Sequence, residues 1–106
     1  MESVLSMQAD VKPLVPAELA ELRGQIDKID AEIMEALARR FAVTGKVGQL
    51  KAIHGLNSVD PVREQEKLQG LRKMAAERGL NSDFVHDLFQ HIFNEVVKNH
   101  RSFLSK

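Results

Sequence analysis

Two cations interrupt a stripe of apolar side chains in the first half of the chain. The stripe recurs every three or four residues, at Leu19, Leu22, Ile26, Ile29, Ile33 and Leu37, and its next positions are Arg40, Thr44, Val47 and Lys51. On an ideal helix, Arg40 and Lys51 lie about 20° apart around the axis and about 16 Å apart along it. Both could point into one cavity, where a bound dianion would supply the counter-charge that buried cations need. Alternatively, both snorkel to solvent along their long stems.

Arg23 is a third cation on the same predicted helix. It precedes Lys51 by 28 residues, which corresponds to about 42 Å along a continuous helix. The two side chains cannot share a small site within one chain. They could share one only if Arg23 came from a second, antiparallel copy.

Asp60, Arg63 and Glu64 form another polar group. Asp60-Pro61 is typical of a helix start, with aspartate as the N-cap and proline at the first helical position. The helix dipole also favours Glu64 in the first turn, but it disfavours Arg63. Capping therefore explains the two acids and leaves Arg63 unexplained.

The sequence lacks the residues of most catalytic machinery. It has no cysteine, which excludes thiol nucleophiles and thiolate metal sites. The four histidines, at positions 54, 86, 91 and 100, show no metal-ligand spacing, and neither a Ser-His-acid order nor a glycine-rich phosphate loop stands out. We therefore expect no metal and no cofactor.

Composition narrows the class of protein. The chain has 106 residues, enough for one domain, and 15 basic residues balance 15 acidic ones. A formal charge of zero argues against a nucleic-acid binder and against a polybasic membrane anchor. No apolar run reaches the roughly 18 residues of a spanning helix, and the N-terminus lacks a signal-peptide pattern. We expect a cytoplasmic protein.

The first predicted helix is too long for a monomer. Residues 1–15 show no sustained periodicity and are predicted to be a flexible arm, which leaves a domain over 16–106. The helix should run from Pro16 to about His54 and end at Gly55. It would be about 55 Å long, whereas a compact chain of this size has a radius of gyration of about 13 Å. A partner subunit is the simplest way to cover it.

Two further helices complete an all-α prediction, with three helices per chain. The second should span 61–78 and end at Gly79, and the third should follow a cap at Asn81 or Ser82 and end near residue 104. The side chains predicted to face inward are Leu68, Leu71, Met74, Ala75, Val85, Leu88, Phe89, Ile92, Phe93, Val96 and Val97.

The joint order and spacing of these residues resemble the all-helical (type II) chorismate mutase family. The motifs are Leu22-Arg23, Ile29-Asp30, Ala38-Arg39-Arg40, Val47-Gly48-x-x-Lys51, Asp60-x-x-Arg63-Glu64 and Leu88-Phe89-x-x-Ile92. Each motif is weak alone, because Arg and Leu are common on helices, but together they match over residues 19–101. The resemblance implies an intertwined homodimer whose long first helices pair antiparallel.

The resemblance also implies a reaction, the Claisen rearrangement of chorismate to prephenate in Phe and Tyr biosynthesis. This reaction needs a diaxial conformer and stabilisation of charge on the ether oxygen, without acid, base, nucleophile or cofactor. Arg23 in trans and Arg40 in cis would each bind a substrate carboxylate, and Lys51 would lie near a carboxylate and the ether oxygen. The residues implied at the ring-hydroxyl end are Asp60, Arg63 and Glu64.

Two positions depart from the family pattern. Val96 stands where many relatives have Ser, which removes a minor polar contact. His100 stands where many have Gln, the group implied to donate to the ether oxygen. Imidazole could donate in either protonation state, although imidazolium suits developing negative charge better. A surface histidine near the helix end is the alternative for His100.

Two other functions stay open. An isochorismate pyruvate lyase uses the same fold and a similar cationic pocket, so assays of both substrates are needed to separate the two enzymes. A non-catalytic helical dimerisation module would tolerate Leu or Met in place of the stripe cations, whereas an active enzyme would not.

Overall fold

A computed structural model describes residues 16–104, which form three α-helices and no strand. Helix α1 spans Ala17–Ile53, α2 spans Pro61–Glu77 and α3 spans Ser82–Leu104. The all-α prediction is confirmed for this part of the chain. The predicted N-terminal arm, residues 1–15, lies outside the described residues. None of the described helices is both long and apolar enough to span a membrane.

Glycines end the first two helices where the sequence predicts them. Gly55 has a φ of 66° and Gly79 a φ of 71°, a left-handed conformation that a residue with a Cβ adopts only at a cost. After α1, the N–H of Leu56 donates to the carbonyl of Lys51 at 2.7 Å. The chain therefore turns sharply out of α1 into the loop that leads to α2.

The start of α3 is fastened both to its own cap and to α2. Asn81 Oδ1 accepts the N–H of Phe84 at 2.9 Å, so Asn81 is the cap among the two predicted candidates. Ser82 Oγ donates to the carbonyl of Arg72 at 3.2 Å, and Asp83 accepts from the Arg72 guanidinium at 2.8 Å. These contacts fix where α3 begins against α2.

The chain divides into two compact units, with the boundary between Leu37 and Ala38 inside α1. In the first unit, the apolar stripe of α1 is open to solvent. Its four central side chains are each more than half exposed, namely Leu22, Ile26, Ile29 and Ile33. Such a face retains most of its apolar surface for a further contact.

The second unit contains the hydrophobic core, between α2 and α3. Its buried members are Leu68, Leu71, Ala75, Val85 and Phe93, with Phe89 and Ile92 packed against them. Two inward predictions are wrong, because Met74 is 45% exposed and Leu88 is 44% exposed. The two helices bury a narrow stripe against each other, and both side chains lie at its edge. The core holds α2 and α3 together beneath the site described next.

Candidate active site

An open pocket in the second unit brings together seven of the eight predicted site residues. Its lining residues are Arg40, Thr44, Val47, Lys51, Ser58, Asp60, Arg63, Glu64, Lys67, Phe93, Val96, Val97 and His100. They come from the C-terminal part of α1, the loop before α2, the first turns of α2 and the last turns of α3. The eighth predicted residue, Arg23, belongs to the first unit, where it is exposed.

Arg40 rests on aromatic rings of α3. Its guanidinium carbon lies 5.6 Å from the ring centroid of Phe93 and 6.0 Å from that of Phe89, within cation–π range. Its Nη1 is buried and has no hydrogen-bond partner among the described residues. Arg40 as a whole is half-buried, so its side chain is partly withdrawn from solvent, and Nη1 is the nitrogen that does not reach solvent.

The environment of Arg40 favours an anionic ligand. Burial lowers the pKa of the Arg40 guanidinium from its ordinary value, because desolvation disfavours the charged form. Arginine nevertheless stays protonated in proteins. A buried, charged N–H without an acceptor is costly, and a carboxylate entering the pocket would satisfy it.

Lys51 lines the same pocket from the last turn of α1, and its side chain is half-buried. Within residues 16–104, neither Lys51 nor Arg40 forms an ion pair with a carboxylate. The sequence spacing thus brings two cations from one helix to a common space. Both charges are available to a bound molecule.

The cap of α2 positions the acidic side of the pocket. Asp60 Oδ1 accepts the N–H of Arg63 at 3.1 Å, and Pro61 follows as the first helical residue. This cap sets the first turn so that Arg63 and Glu64 both line the pocket, with Glu64 half-buried. Asp60 therefore has the structural role that its position predicts, in addition to lining the site.

His100 is buried between α1 and α3, with only 4% of its surface exposed. The surface-histidine alternative is therefore wrong. Its Nε2 lies 2.9 Å from the Thr44 carbonyl oxygen, which can only accept, so Nε2 carries the hydrogen. Its Nδ1 is buried and has no partner among the described residues.

This geometry also corrects the expectation that His100 can donate to a ligand in either protonation state. The only N–H of the neutral ring is already given to Thr44, so neutral His100 presents an acceptor at Nδ1. The ring is held in place by Gly48, where an added Cβ would lie 2.8 Å from Nε2. A glycine in α1 is what allows the imidazole to approach this closely.

Six lining residues were not predicted as site residues, namely Thr44, Val47, Ser58, Lys67, Phe93 and Val97. Thr44 and Val47 continue the stripe of α1, and Val97 was assigned to the core. Lys67 lies one helical turn after Arg63, a spacing that puts both on one face of α2 and that could have identified it. Ser58 lies in the loop before α2, where no pattern marks it. Phe93 was assigned to the core, which it does join, but it also supports Arg40.

The pocket carries an excess of positive charge. Its cations are Arg40, Lys51, Arg63 and Lys67, and its acids are Asp60 and Glu64. The difference is two positive charges, which suits a dianion, while the two acids suit a hydroxyl or amino group at the other end of a ligand.

Comparison with known proteins gives a family match over most of the chain. Residues 22–101 match the family model described as chorismate mutase type II. The T-protein of Haemophilus influenzae is 33% identical over 85 residues, which cover 80% of this chain and 22% of that protein. A second T-protein, from Enterobacter agglomerans, is covered to 21% of its length. The chain thus spans about a fifth of these two relatives.

Two relatives of similar size are covered more fully. The chorismate mutase of Methanocaldococcus jannaschii is 32% identical over 73 residues, which cover 69% of this chain and 74% of that protein. The 4-amino-4-deoxychorismate mutase of Streptomyces venezuelae is 26% identical over 81 residues, which cover 76% of this chain and 79% of that protein.

Proposed function

Because the chain belongs to the chorismate mutase type II family, we propose that it is an isomerase that converts chorismate to prephenate in the biosynthesis of Phe and Tyr. One observation on this chain supports the activity that its family implies. Arg40, whose Nη1 is buried and unpartnered among the described residues, lines a pocket with two excess positive charges. A dicarboxylate substrate would supply both the acceptor and the charge that the pocket lacks.

The reaction requires a fixed substrate conformer and positive charge near the ether oxygen, and the cations of the pocket can supply both. Chorismate rearranges by breaking one C–O bond and forming one C–C bond within the same molecule, and no proton is transferred. Arg40 binds a carboxylate and so holds the reactive conformer. Lys51 lies near a carboxylate and the ether oxygen, where its charge stabilises the negative charge that grows as the C–O bond breaks. The residues that orient the ring hydroxyl are Asp60, Arg63 and Glu64.

The active unit in this proposal is a homodimer. The stripe of Leu22, Ile26, Ile29 and Ile33 leaves a long apolar face open, which a second α1 running antiparallel would cover. That arrangement would also deliver Arg23 in trans to the partner's pocket, as a second carboxylate ligand. Dimerisation would then complete the site, because Arg23 is not among the residues that line the pocket of its own chain.

The name of one relative suggests a second substrate that should be assayed. The Streptomyces venezuelae protein is named a 4-amino-4-deoxychorismate mutase, and its substrate name differs from chorismate by an amino group in place of a ring hydroxyl. Asp60 and Glu64 could accept hydrogen bonds from either group. We propose chorismate as the preferred substrate and the 4-amino analogue as the alternative.

The proposed location is the cytoplasm, and a cysteine-free chain is compatible with its reducing conditions. We propose no nucleic-acid partner, in keeping with the balanced charge of the chain.

A direct ultraviolet assay tests the proposed function. The chain contains neither Trp nor Tyr, so the protein adds little background while chorismate is consumed. Purified protein is given chorismate, isochorismate or 4-amino-4-deoxychorismate, and the products are separated by chromatography. We expect kcat/KM to be highest for chorismate, with prephenate as the product. Release of pyruvate from isochorismate at a higher kcat/KM would identify a lyase instead, and no turnover of any of the three would favour the dimerisation module.

A further inference from the structure

The charges of the pocket are distributed unevenly between its helices. The lining residues from α1 include two cations, Arg40 and Lys51, and no acid. The charged lining residues from α2 and its cap are two acids and two cations, namely Asp60, Glu64, Arg63 and Lys67. The α2 side is therefore balanced, and the excess of two positive charges comes from the α1 side.

Lys67 is the pocket cation that the proposed reaction leaves without a role. It follows Glu64 by three residues and Arg63 by four, which puts all three side chains on one face of α2. Lys67 is exposed where it lines the pocket, and within residues 16–104 it forms no ion pair with Asp60 or Glu64. Its charge is therefore free to act on the part of a ligand that lies beside the acids.

The two ring substituents under comparison differ in charge. A hydroxyl group is neutral, whereas an aliphatic amine is protonated near neutral pH, as the lysine side chain is. Asp60 and Glu64 can accept a hydrogen bond from either group, and alone they would attract the ammonium group more strongly. Cations on the same face oppose the ammonium group and leave the neutral hydroxyl almost unaffected. The acids therefore cannot select the hydroxyl, but a neighbouring cation can.

We propose, resting on the proposed function, that Lys67 is a specificity-determining residue that favours chorismate over 4-amino-4-deoxychorismate. With Lys67 present, the α2 side of the pocket has no net charge. Without its charge, two acids face one cation, and this side becomes attractive to an ammonium group. The repulsion acts across an open, solvated pocket, so it is moderate in size and is weakened by salt.

The test is the ratio of kcat/KM for 4-amino-4-deoxychorismate to kcat/KM for chorismate. Lys67→Met removes the charge and keeps a long side chain, so we expect the ratio to rise about three- to tenfold. Lys67→Arg keeps the charge, and its ratio should stay within about twofold of the wild type. If turnover of the amino compound is too slow to measure, its inhibition constant against chorismate gives the same comparison.

Lys73→Met is the matched control. Lys73 is an exposed lysine of α2 that does not line the pocket, so this variant loses the same charge from the same helix at a distance from the ligand. We expect its ratio to stay within about twofold of the wild type. High salt should reduce the difference between Lys67→Met and the wild type, because ions screen the repulsion. Circular dichroism checks that all variants fold as the wild type does.

Three results would overturn the proposal while chorismate turnover persists. They are an unchanged ratio in Lys67→Met, an equal rise in Lys73→Met or Lys67→Arg, and a rise in Lys67→Met that high salt leaves undiminished. Absence of chorismate turnover in the wild type and in Lys73→Met would instead overturn the proposed function, and this proposal with it.

Discussion

The guanidinium carbon of Arg40 lies 5.6 Å from the ring centroid of Phe93, so a core residue of α3 supports a site residue of α1. Phe93 is 8% exposed and belongs to the hydrophobic core. The same ring therefore contributes to stability and to the orientation of a cation. The position of the Arg40 charge in the pocket therefore depends on the packing of the hydrophobic core.

Phe93→Leu separates these two contributions. Leucine keeps the site apolar, so we expect a loss of about 1–2 kcal/mol in the free energy of unfolding. Removing one aromatic face from Arg40 should raise KM for chorismate several-fold, with Phe89 retaining part of the contact. Denaturant unfolding and steady-state kinetics measure the two effects. Ile92→Leu, at a core position that does not line the pocket, is the control, and an equal rise in KM there would show that Phe93 acts through general packing.

Gly48 sets how closely α1 and α3 approach. Gly48→Ala puts a methyl group too close to the His100 ring for both to keep their positions, so we expect a loss of about 1–3 kcal/mol in the free energy of unfolding. Gly45→Ala, in the same helix and with open space around its Cβ, should be neutral or stabilise by up to about 1 kcal/mol. Urea unfolding of the two variants gives the comparison, and equal stability would show that α3 can move away from α1 without cost.

Helix ends were predictable from the sequence because their signals are local. Gly55 and Gly79 need a left-handed backbone, and Asp60 supplies a cap to its own helix. These choices depend on residues within one turn. The three helices and the spacing of Arg40 and Lys51 followed from the same short-range information.

The misjudged residues depend on neighbours that are distant in sequence. Met74 and Leu88 fit the helical period but lie beyond the stripe that the opposite helix covers. Burial of His100 depends on a glycine 52 positions earlier, and its hydrogen bond depends on the carbonyl of Thr44. A periodic pattern predicts which face of a helix a side chain lies on. It does not predict how much of that face the neighbouring helix covers.

The shared site predicts complementation between two inactive variants. Arg23→Ala and Lys51→Ala homodimers should each lose at least about 10²-fold in kcat. In a mixed dimer, one site carries both lesions and the other carries neither. Each heterodimer should therefore recover close to half of the wild-type activity, as measured after subunit exchange.

Sedimentation supplies the control for that experiment. It should show a dimer at assay concentrations for the wild type and for both variants. A stable, fully active monomer would contradict the shared site. Exchanged subunits without recovered activity would show that Arg23 does not complete the partner's pocket.

The most direct test of the account is the rate of chorismate loss for Arg40→Ala beside Arg39→Ala. The two arginines are adjacent in α1, but Arg39 is exposed and does not line the pocket. We predict that Arg40→Ala lowers kcat/KM for chorismate by at least about 10²-fold, while Arg39→Ala stays within about twofold of the wild type and both remain folded. Equal rates for the two variants, or retained activity in Arg40→Ala, would contradict the claim that this pocket rearranges chorismate.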